Sequence, residues 1–321
     1  MFAHAKRIVT ASLLVAAAVF PALAWPDRPV RLVVGFQAGG SSDTIARLLG
    51  ERLRSELGGA TIIIENKPGA AGSIAADAVL SARDAHSLLM FGDSFVTSSL
   101  VNKSVRFRPL RDFKMVSMVC EGPLVLLAGP TAPFRDFKEF VSYAKANPNK
   151  VNYASAGIGG QQHLTGEYLS AALKLEMTHV PTRGGGQATN DLVGGQIETA
   201  ILGLGPTLAH IRAGKLKALA VSTESRVPQL PDVPTLTELG VPDFAVTQWF
   251  GLVAPSDMPD AVVNQLSQAI RAALAGEAIR RRFEEIGFAA QASTPDEFTE
   301  KVRADEARWK RLIDERGLKV E

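Results

Sequence analysis

Glycine and short polar residues are concentrated in two loops of this 321-residue chain. The first loop reads GFQAGGSSD (residues 35–43) and the second reads SAGIGGQQH (residues 155–163). Each follows an apolar, strand-like run and precedes a segment with helical periodicity. Backbone N–H groups at a helix N-terminus bind anions, and glycine lets a ligand approach the backbone closely. Either loop alone can be only a tight turn, but two of them, in separate blocks of the chain, favour a shared anionic ligand.

The loops do not match a nucleotide site. Gly157 and Gly159 begin a dinucleotide-binding pattern, but Gln162 stands at its last glycine position, and no Lys-Ser pair follows either loop. The remaining side-chain donors carry no fixed charge and suit a carboxylate. These donors are Ser41, Ser42, Thr44, Ser155 and Gln162.

Charged residues near the loops have two interpretations each. Arg183, in the glycine-rich turn TRGGGQ, can pair with a second carboxylate or be a solvated loop arginine. Asp43 is expected to serve the helix N-terminus, where a negative charge is favourable. Asp191 can accept from a ligand amine or hydroxyl, although a place on a helix surface is the default.

A serine hydrolase is the alternative function. Ser155 ends a strand-like run, with His163 or His179 as a base and Asp191 as an orienting acid. However, Tyr153 occupies a position where a nucleophile elbow needs glycine. We expect neither a cofactor nor a metal site, because the histidines lack ligand spacing and Cys120 is the single cysteine.

The N-terminus and the composition indicate an exported protein. Lys6 and Arg7 precede an apolar run, and Ala22-Leu23-Ala24 has the small-x-small pattern, so residues 1–24 are predicted to be a signal peptide cleaved near Ala24-Trp25. Without Lys6 and Arg7 the basic and acidic residues balance, which argues against nucleic acid as a partner. A single cysteine cannot form an internal disulfide, so the fold must rely on its core.

Strand-like and helical segments alternate over most of the chain, which predicts an α/β fold with mainly parallel sheets flanked by helices. After Pro255 three helical segments follow with no obvious strand. Residues Met115–Gly122 and Phe244–Pro255 are predicted to cross between two lobes and to form a two-strand hinge. The predicted lobes are residues 25–120 plus 251–321 and residues 121–250. The predicted strands are Val30–Val34, Thr61–Glu65, Ser87–Phe91, Leu124–Ala128, Val151–Ala154, Thr178–Pro181, Ile197–Leu202 and Leu216–Ser222.

Several ordered segments together resemble the periplasmic substrate-binding proteins of tripartite tricarboxylate transporters, also called Bug receptors. They span nearly all of the chain after the signal peptide and are more specific than any single glycine motif. The matching segments are PDRPVRLVVGFQAGGSSDTIARLL (26–49), IENKPGAAGSIAADAV (64–79), YASAGIGGQQHLTGE (153–167), HVPTRGGGQATNDLVGGQIE (179–198), AGKLKALAVSTESR (213–226), LPDVPTLTELG (230–240) and WFGLVAPSDMP (249–259).

The resemblance implies a two-lobed, type II periplasmic binding protein, or Venus flytrap, without enzymatic activity. It implies a monomer that binds a small carboxylate, such as a dicarboxylate, an aromatic acid or an amino acid, and serves a tripartite-type transporter or a sensor kinase. The two loops would hold the carboxylate, with Ser94 and the region around Thr182 shaping the pocket. The expected ligand-binding residues are Gln37, Ala38, Gly39, Gly40, Ser41, Ser42, Asp43, Thr44, Ser94, Ser155, Gly157, Ile158, Gly159, Gly160, Gln161, Gln162, His163, Thr182, Arg183 and Asp191.

The sequence departs from the family pattern at three places. The family commonly has proline near Gly35, tyrosine-lysine in place of Thr182-Arg183, and a proline-aspartate-glycine-tyrosine turn in place of residues 84–87. Losing the tyrosine removes an aromatic wall and a hydroxyl from the pocket. The ligand can therefore not be transferred from relatives by analogy.

Overall fold

A computed structural model describes residues 25–241 and 244–318, and the predicted signal peptide lies outside the described residues. The strands are β1 (Val30–Val34), β2 (Ile62–Asn66), β3 (Ser87–Gly92), β4 (Phe113–Ala128), β5 (Val151–Ser155), β6 (Met177–Pro181), β7 (Thr199–Gly203), β8 (Lys217–Val221), β9 (Thr247–Pro255) and β10 (Ala289–Ala290). The helices are α1 (Ser41–Glu56), α2 (Ser73–Ala82), α3 (Asp93–Val101), α4 (Pro109–Asp112), α5 (Phe137–Ala146), α6 (Gln161–Leu173), α7 (Gly185–Val193), α8 (Leu204–Arg212), α9 (Asp260–Ala275), α10 (Glu277–Glu285) and α11 (Pro295–Arg316).

The strands form two parallel groups that are joined by antiparallel strands. In the first group β1 lies between β2 and β3 and is parallel to both. In the second group β5 lies between β6 and β7 and is again parallel to both. Strand β9 pairs with β3, and strand β4 lies between β9 and β7. All three of these pairings are antiparallel.

The long strand β4 belongs to both groups. It pairs with β9 from Phe113 to Pro123, and from Leu124 to Ala128 it pairs with β7 and β8. The predicted crossings, Met115–Gly122 and Phe244–Pro255, thus lie along two strands that pair side by side. Bending of this pair would change the angle between the two groups.

Helix ends and buried faces follow local sequence signals. In α1 the residues Ile45, Leu49 and Leu53 recur every four positions and are fully buried. Helix α11 begins with a capping box, in which Thr294 and Glu297 bond each other's backbone N–H, and ends before Gly317 in the left-handed region.

Each strand group has its own apolar core on both faces. One pair of cores packs α1, α2 and α9 against the first group, and the other packs α5, α6, α7 and α8 against the second. The end of α11 contacts the second group, where Trp309 and Leu312 pack with Phe244 and Tyr168.

All eight predicted strands are present, with ends shifted by at most two residues except at Leu124–Ala128, which is the last part of the longer β4. The prediction of no strand after Pro255 is wrong, because Ala289–Ala290 pairs with Glu121 and Cys120 of β4. Two residues are too few to show a strand pattern in the sequence. Within the described ranges, no helix is both long and apolar enough to cross a membrane.

Candidate functional site

Five helices begin at one cleft between the two strand groups, and each begins after a glycine. The N-cap residues of α1, α3, α6, α7 and α8 accept no hydrogen bond through a side chain. These N-caps are Gly40, Gly92, Gly160, Gly184 and Gly203. No N-cap side chain therefore satisfies the first N–H groups of these helices, which leaves them for a ligand, except that in α3 the Asp93 carboxylate accepts from the Ser94 N–H.

Two helices that begin away from the cleft have a capping side chain at the N-cap position. Asp136 caps α5 by accepting from the Glu139 N–H at 2.8 Å, and Thr294 caps α11 by accepting from the Glu297 N–H at 3.2 Å. Serine, threonine, aspartate and asparagine are the usual N-caps because they satisfy these donors. Uncapped ends facing one cleft concentrate partial positive charge there.

A cavity occupies the point where these five helix ends meet. In this conformation its volume is about 30 Å³, and the whole space between its lining atoms, including the part open to solvent, is about 470 Å³. Its polar lining comes from the first turns of the helices and from the hinge strand, and its apolar walls come from aromatic and methionine side chains. The lining residues are Phe36, Gly40, Ser41, Ser42, Met90, Gly92, Asp93, Ser94, Phe95, Ala156, Gln162, Gly185, Gly203, Pro206, Gln248 and Phe250.

The loop after β1 contacts the turn before α7 across the cleft. The Gln37 N–H donates to the carbonyl of Arg183 at 3.2 Å. A Cβ placed on Gly186 would lie 2.9 Å from the Ala38 carbonyl oxygen, and one on Gly40 would lie 3.4 Å from the Gly186 nitrogen. Only glycine at residue 186 allows the two backbones to approach this closely. The contact closes the cleft on this side.

A second cavity, with a volume of about 310 Å³, lies on the other side of the same loop contact. Gly157, Ile158, Thr182 and Arg183 contribute to its lining, opposite residues 69–72. Thr182 Oγ1 donates to the Ser155 carbonyl at 2.9 Å, which fixes the turn, whereas Arg183 is exposed. The positively charged side chain of Arg183 therefore lies at the mouth of the second cavity.

Asp43 is engaged within its own loop. Its carboxylate accepts from the Gly39 N–H at 3.0 Å and from the Asn66 side chain at 3.0 Å, and it pairs with Arg47 at 2.9 Å. These hydrogen bonds lower the pKa of Asp43, against the opposing effect of burial. The carboxylate thus stabilises the loop after β1, and it lies in the first turn of α1.

Asp93 lies in the cavity lining and is 2% exposed. One carboxylate oxygen accepts from the Trp249 N–H at 2.9 Å, and the other accepts from Ser94 Oγ at 3.0 Å. Burial raises the pKa of Asp93 to about 7. The residue therefore joins α3 to the hinge strand β9 through a group that titrates near neutral pH.

Ser155 and His163 do not form a catalytic pair, and the hydrolase alternative is not supported. Ser155 is fully buried, and its Oγ lies 2.6 Å from Nε2 of His179 instead. His163 Nδ1 accepts from the Gly159 N–H at 3.0 Å, and the His163 ring stacks on His179 with centroids 3.7 Å apart. Burial lowers the pKa of His163 to about 4 and that of His179 to about 3. A serine without solvent access cannot attack a substrate, so this cluster supports the loop after β5.

The expected ligand-binding residues occupy different places. Five line the first cavity, namely Gly40, Ser41, Ser42, Ser94 and Gln162. Four line the second cavity, namely Gly157, Ile158, Thr182 and Arg183. The others line neither cavity and lie in the supporting loops or helix turns; they are Gln37, Ala38, Gly39, Asp43, Thr44, Ser155, Gly159, Gly160, Gln161, His163 and Asp191.

Eleven of the sixteen residues that line the first cavity were not among the residues predicted from the sequence, and three of them show what signal was available. Asp93 and Gly203 each follow directly on an apolar run, at the same strand-to-helix junction as the two glycine loops, so this position was a usable signal. Gln248 lies on the hinge strand, where the sequence shows no glycine turn. Among the described residues, no cluster of histidine, cysteine, aspartate and glutamate can hold a metal ion.

Known proteins resemble this chain over most of its length. Protein BugT of Bordetella pertussis is 32% identical over 92% of this chain and 91% of its own. The structure of the periplasmic binding protein BugD is 35% identical with a TM-score of 0.88, over 92% of this chain and all of that one. MatC of Rhodopseudomonas palustris with bound malate is 34% identical with a TM-score of 0.86, over 90% of this chain and all of that one.

A further structure, of an R. palustris protein with adipate, is 30% identical with a TM-score of 0.88, over 92% of this chain and 99% of that one. These likenesses show the two-lobed fold of periplasmic binding proteins. The family model described as tripartite tricarboxylate transporter family receptor matches residues 45–318. The chain belongs to this receptor family.

Proposed function

We propose that the protein captures a small carboxylate in the first cavity by closing two lobes around it. The observation that carries this proposal is the convergence of five glycine-capped helix N-termini on one cavity. Each end presents backbone N–H donors and a partial positive charge. Ser41 and Ser42, in the first turn of α1, add hydroxyl donors on the side of the cavity opposite α6.

The lining of the first cavity favours a compact anion, which it can bind without paired arginines. No lysine or arginine is among the residues that line the first cavity, so the N–H and hydroxyl donors supply the attraction. Such groups bind a carboxylate with less desolvation than a buried ammonium would require. Arg183, at the mouth of the second cavity, is placed to meet a second acidic group of a longer ligand.

The solved relatives agree in ligand chemistry. MatC holds malate and another R. palustris protein holds adipate, both of which are dicarboxylates. The departure at Thr182-Arg183 leaves the length of the ligand of this chain open within the class of small carboxylates.

The lobes are proposed to be residues 25–120 plus 251–321 and residues 121–250, with β4 and β9 as the hinge. Ligand contacts from both lobes favour the closed form, since each lobe contributes only part of the cradle. The protein is proposed to act as a periplasmic monomer after cleavage near Ala24-Trp25. It would deliver its ligand to the membrane subunits of a tripartite tricarboxylate-type transporter, or present it to a sensor kinase, without catalysing a reaction.

A thermal-shift screen of the purified protein tests the proposal. The panel contains dicarboxylates, aromatic acids and acidic amino acids, and NMR of each mixture checks for turnover. A ligand present at 100 times its Kd adds about 2.7 kcal/mol of stability, which gives a clear increase in Tm. We expect at least one carboxylate to raise Tm and to remain chemically unchanged.

Gly40→Val tests the site, because its side chain would enter the loop contact with Gly186 and the cavity. We expect this variant to lose the carboxylate-dependent shift. Gly276→Val is the matched control, because Gly276 is also an uncapped glycine N-cap, of α10, and a Cβ there meets only Ile279 at 3.9 Å. Equal shifts in both variants would place the ligand elsewhere, and product formation would refute the receptor function.

A further inference from the structure

Asp93 is the one titratable residue among the described residues that line the first cavity. It is the first residue of α3 and is 2% exposed. The lining contains no lysine or arginine that could offset a second negative charge. The cavity proposed to receive an anion therefore already contains an acid, and like charges at such a buried place repel each other with little screening.

The carboxylate of Asp93 is held by three donors. Oδ2 accepts from the Trp249 N–H at 2.9 Å, Oδ1 accepts from Ser94 Oγ at 3.0 Å, and the Ser94 N–H also donates to the carboxylate. None of these three donors carries a positive charge. The position of the carboxylate is thus fixed, while its charge is not neutralised by the groups that hold it.

The elements that pack against α3 do not neutralise this charge either. Asp305 of α11 repels Asp93 and is itself paired with Lys301 at 3.4 Å, and burial keeps His163 of α6 neutral. Strands β3 and β9 and the turn at residues 70–72 contain no titratable residue. The remaining titratable residues around α3 are Glu167 on α6, Arg111 and Asp112, which pair with each other on α4, and Lys103, Arg106 and Arg108, which are exposed in the loop after α3.

The direction of the hydrogen bond between Asp93 and Ser94 depends on the proton of Asp93. An ionised carboxylate only accepts, so Ser94 donates its hydroxyl proton to Asp93 and presents lone pairs on its other sides. A protonated carboxyl can donate to Ser94 Oγ instead. The hydroxyl proton of Ser94 is then free to bond another acceptor.

Ser94 lies where such a proton can be used. It lines the first cavity, and a Cβ placed on Gly160 would lie 3.3 Å from Ser94 Oγ, so the hydroxyl lies beside the N-cap of α6. The N–H groups at the start of α6 are donors for an anion. A Ser94 hydroxyl that donates adds to them, whereas one that presents lone pairs opposes a carboxylate.

We propose that the carboxylate ligand binds together with a proton from solvent, which neutralises Asp93 and makes Ser94 a hydrogen-bond donor to the ligand. The proposal rests on the carboxylate-binding function above and makes Asp93 a positioning residue that acts through Ser94. Burial raises the pKa of Asp93 to about 7, and a bound anion raises it further. Binding therefore takes up a proton above about pH 7, and affinity decreases as the pH rises.

Isothermal titration calorimetry of the wild type tests this without any variant. The probes are succinate, glutarate, adipate, malate and benzoate, whose carboxyl groups are ionised above about pH 6.5. Titration at pH 8 in phosphate and in Tris, which differ in ionisation enthalpy, gives the number of protons taken up. If binding raises the pKa of Asp93 by about one unit or more, we expect an uptake of at least about 0.4 proton per ligand. The Kd should be at least about fivefold weaker at pH 9 than at pH 6.5.

Asp93→Asn removes the titrating group and keeps a donor to Ser94 Oγ, as the protonated acid does. We expect this variant to bind the same acid without proton uptake, with a Kd that changes less than about twofold between pH 6.5 and pH 9. Asp257→Asn, at an exposed aspartate, should keep the wild-type pH profile. In the Asp93→Asn background, Ser94→Ala removes the hydroxyl donor and should weaken binding at least about fivefold.

Four results would overturn the proposal. They are binding without proton uptake in the wild type, an uptake that persists in Asp93→Asn, equal binding by Asp93→Asn with and without Ser94→Ala, and an affinity that rises with pH. The last result is expected if ionised Asp93 instead accepts from a group of the ligand. Failure of all five acids to bind would overturn the carboxylate function, and this proposal with it.

Discussion

Asp93 joins the cleft to the hinge, and its ionisation should leave a measurable mark on the stability of the protein. Burial raises the pKa of its carboxyl to about 7, and repulsion from Asp305 adds to the effect. Hydrogen bonds from the Trp249 N–H and from Ser94 act in the opposite direction. The residue is 2% exposed, so solvent screens little of this balance.

The direction of the pH effect follows from proton binding in the two states. An aspartate in the unfolded chain releases its proton near pH 3.8, whereas folded Asp93 holds it until about pH 7. Between these values the folded state binds more protons, so the free energy of unfolding decreases as the pH rises. About three pH units at 1.36 kcal/mol each give a loss of roughly 4 kcal/mol, complete above about pH 7.

Asp93→Asn removes this titration with little change of shape. The asparagine Oδ1 can accept from the Trp249 N–H, and its Nδ2 can donate to Ser94 Oγ, so both hydrogen bonds survive. We expect the variant to gain stability relative to the wild type as the pH rises, by up to roughly 4 kcal/mol between about pH 4 and pH 8. Urea unfolding at several pH values, followed by far-UV circular dichroism, measures this difference directly.

Titrations of groups that do not interact with Asp93 are common to both forms and cancel in the difference. Asp257→Asn, at an exposed aspartate, controls for the exchange of a carboxylate for an amide. A difference between Asp93→Asn and wild type that stays constant with pH would refute the reasoning. It would mean that folding leaves the proton affinity of Asp93 unchanged, and that the base of the cleft is more polar than its burial indicates.

Two further predictions concern the second strand group. Burial holds His163 and His179 neutral, with pKa values of about 4 and about 3. The unfolded chain takes up these protons below about pH 6.5, so the contribution of the two histidines to stability should fall as the pH decreases from there toward pH 4, opposite in sign to the contribution of Asp93. His163→Gln should therefore become more stable relative to the wild type over this range in urea titrations, and a difference that stays constant with pH would contradict the assignment. Gly166→Ala would place a Cβ 2.2 Å from Cε2 of buried Tyr153 and should destabilise by about 1–3 kcal/mol in thermal unfolding, while Gly276→Ala should change little.

The elements with local signals were predictable from the sequence. The sequence predicts helices at Ser73–Ala82, at about Asp260–Ala275 and at Pro295–Arg316, and α2, α9 and α11 have these bounds. Apolar spacing defines these helices locally, and in α11 a capping box and a proline add to it. Helix α3 was missed for a physical reason. Its residues Asp93–Ser98 are all buried, so the segment has no polar face and shows no amphipathic period.

Some residues of the candidate site were likewise predictable from local sequence, and others were not. Gly40 and Gly160 were found because glycine loops followed obvious strands, and the same rule applied to every strand end would have added Gly92 and Gly203. Gln248 follows no such rule. It reaches the cavity because β9 pairs with β4, a strand more than 100 residues earlier, in a register that sets Gln248 opposite Gly122. Local sequence specifies where a strand ends and a helix begins, but only the pairing of distant strands decides which side chain lies between the lobes. The glycine N-caps around the first cavity are therefore predictable from local sequence, whereas the glutamine of β9 in its lining became visible only in the folded chain.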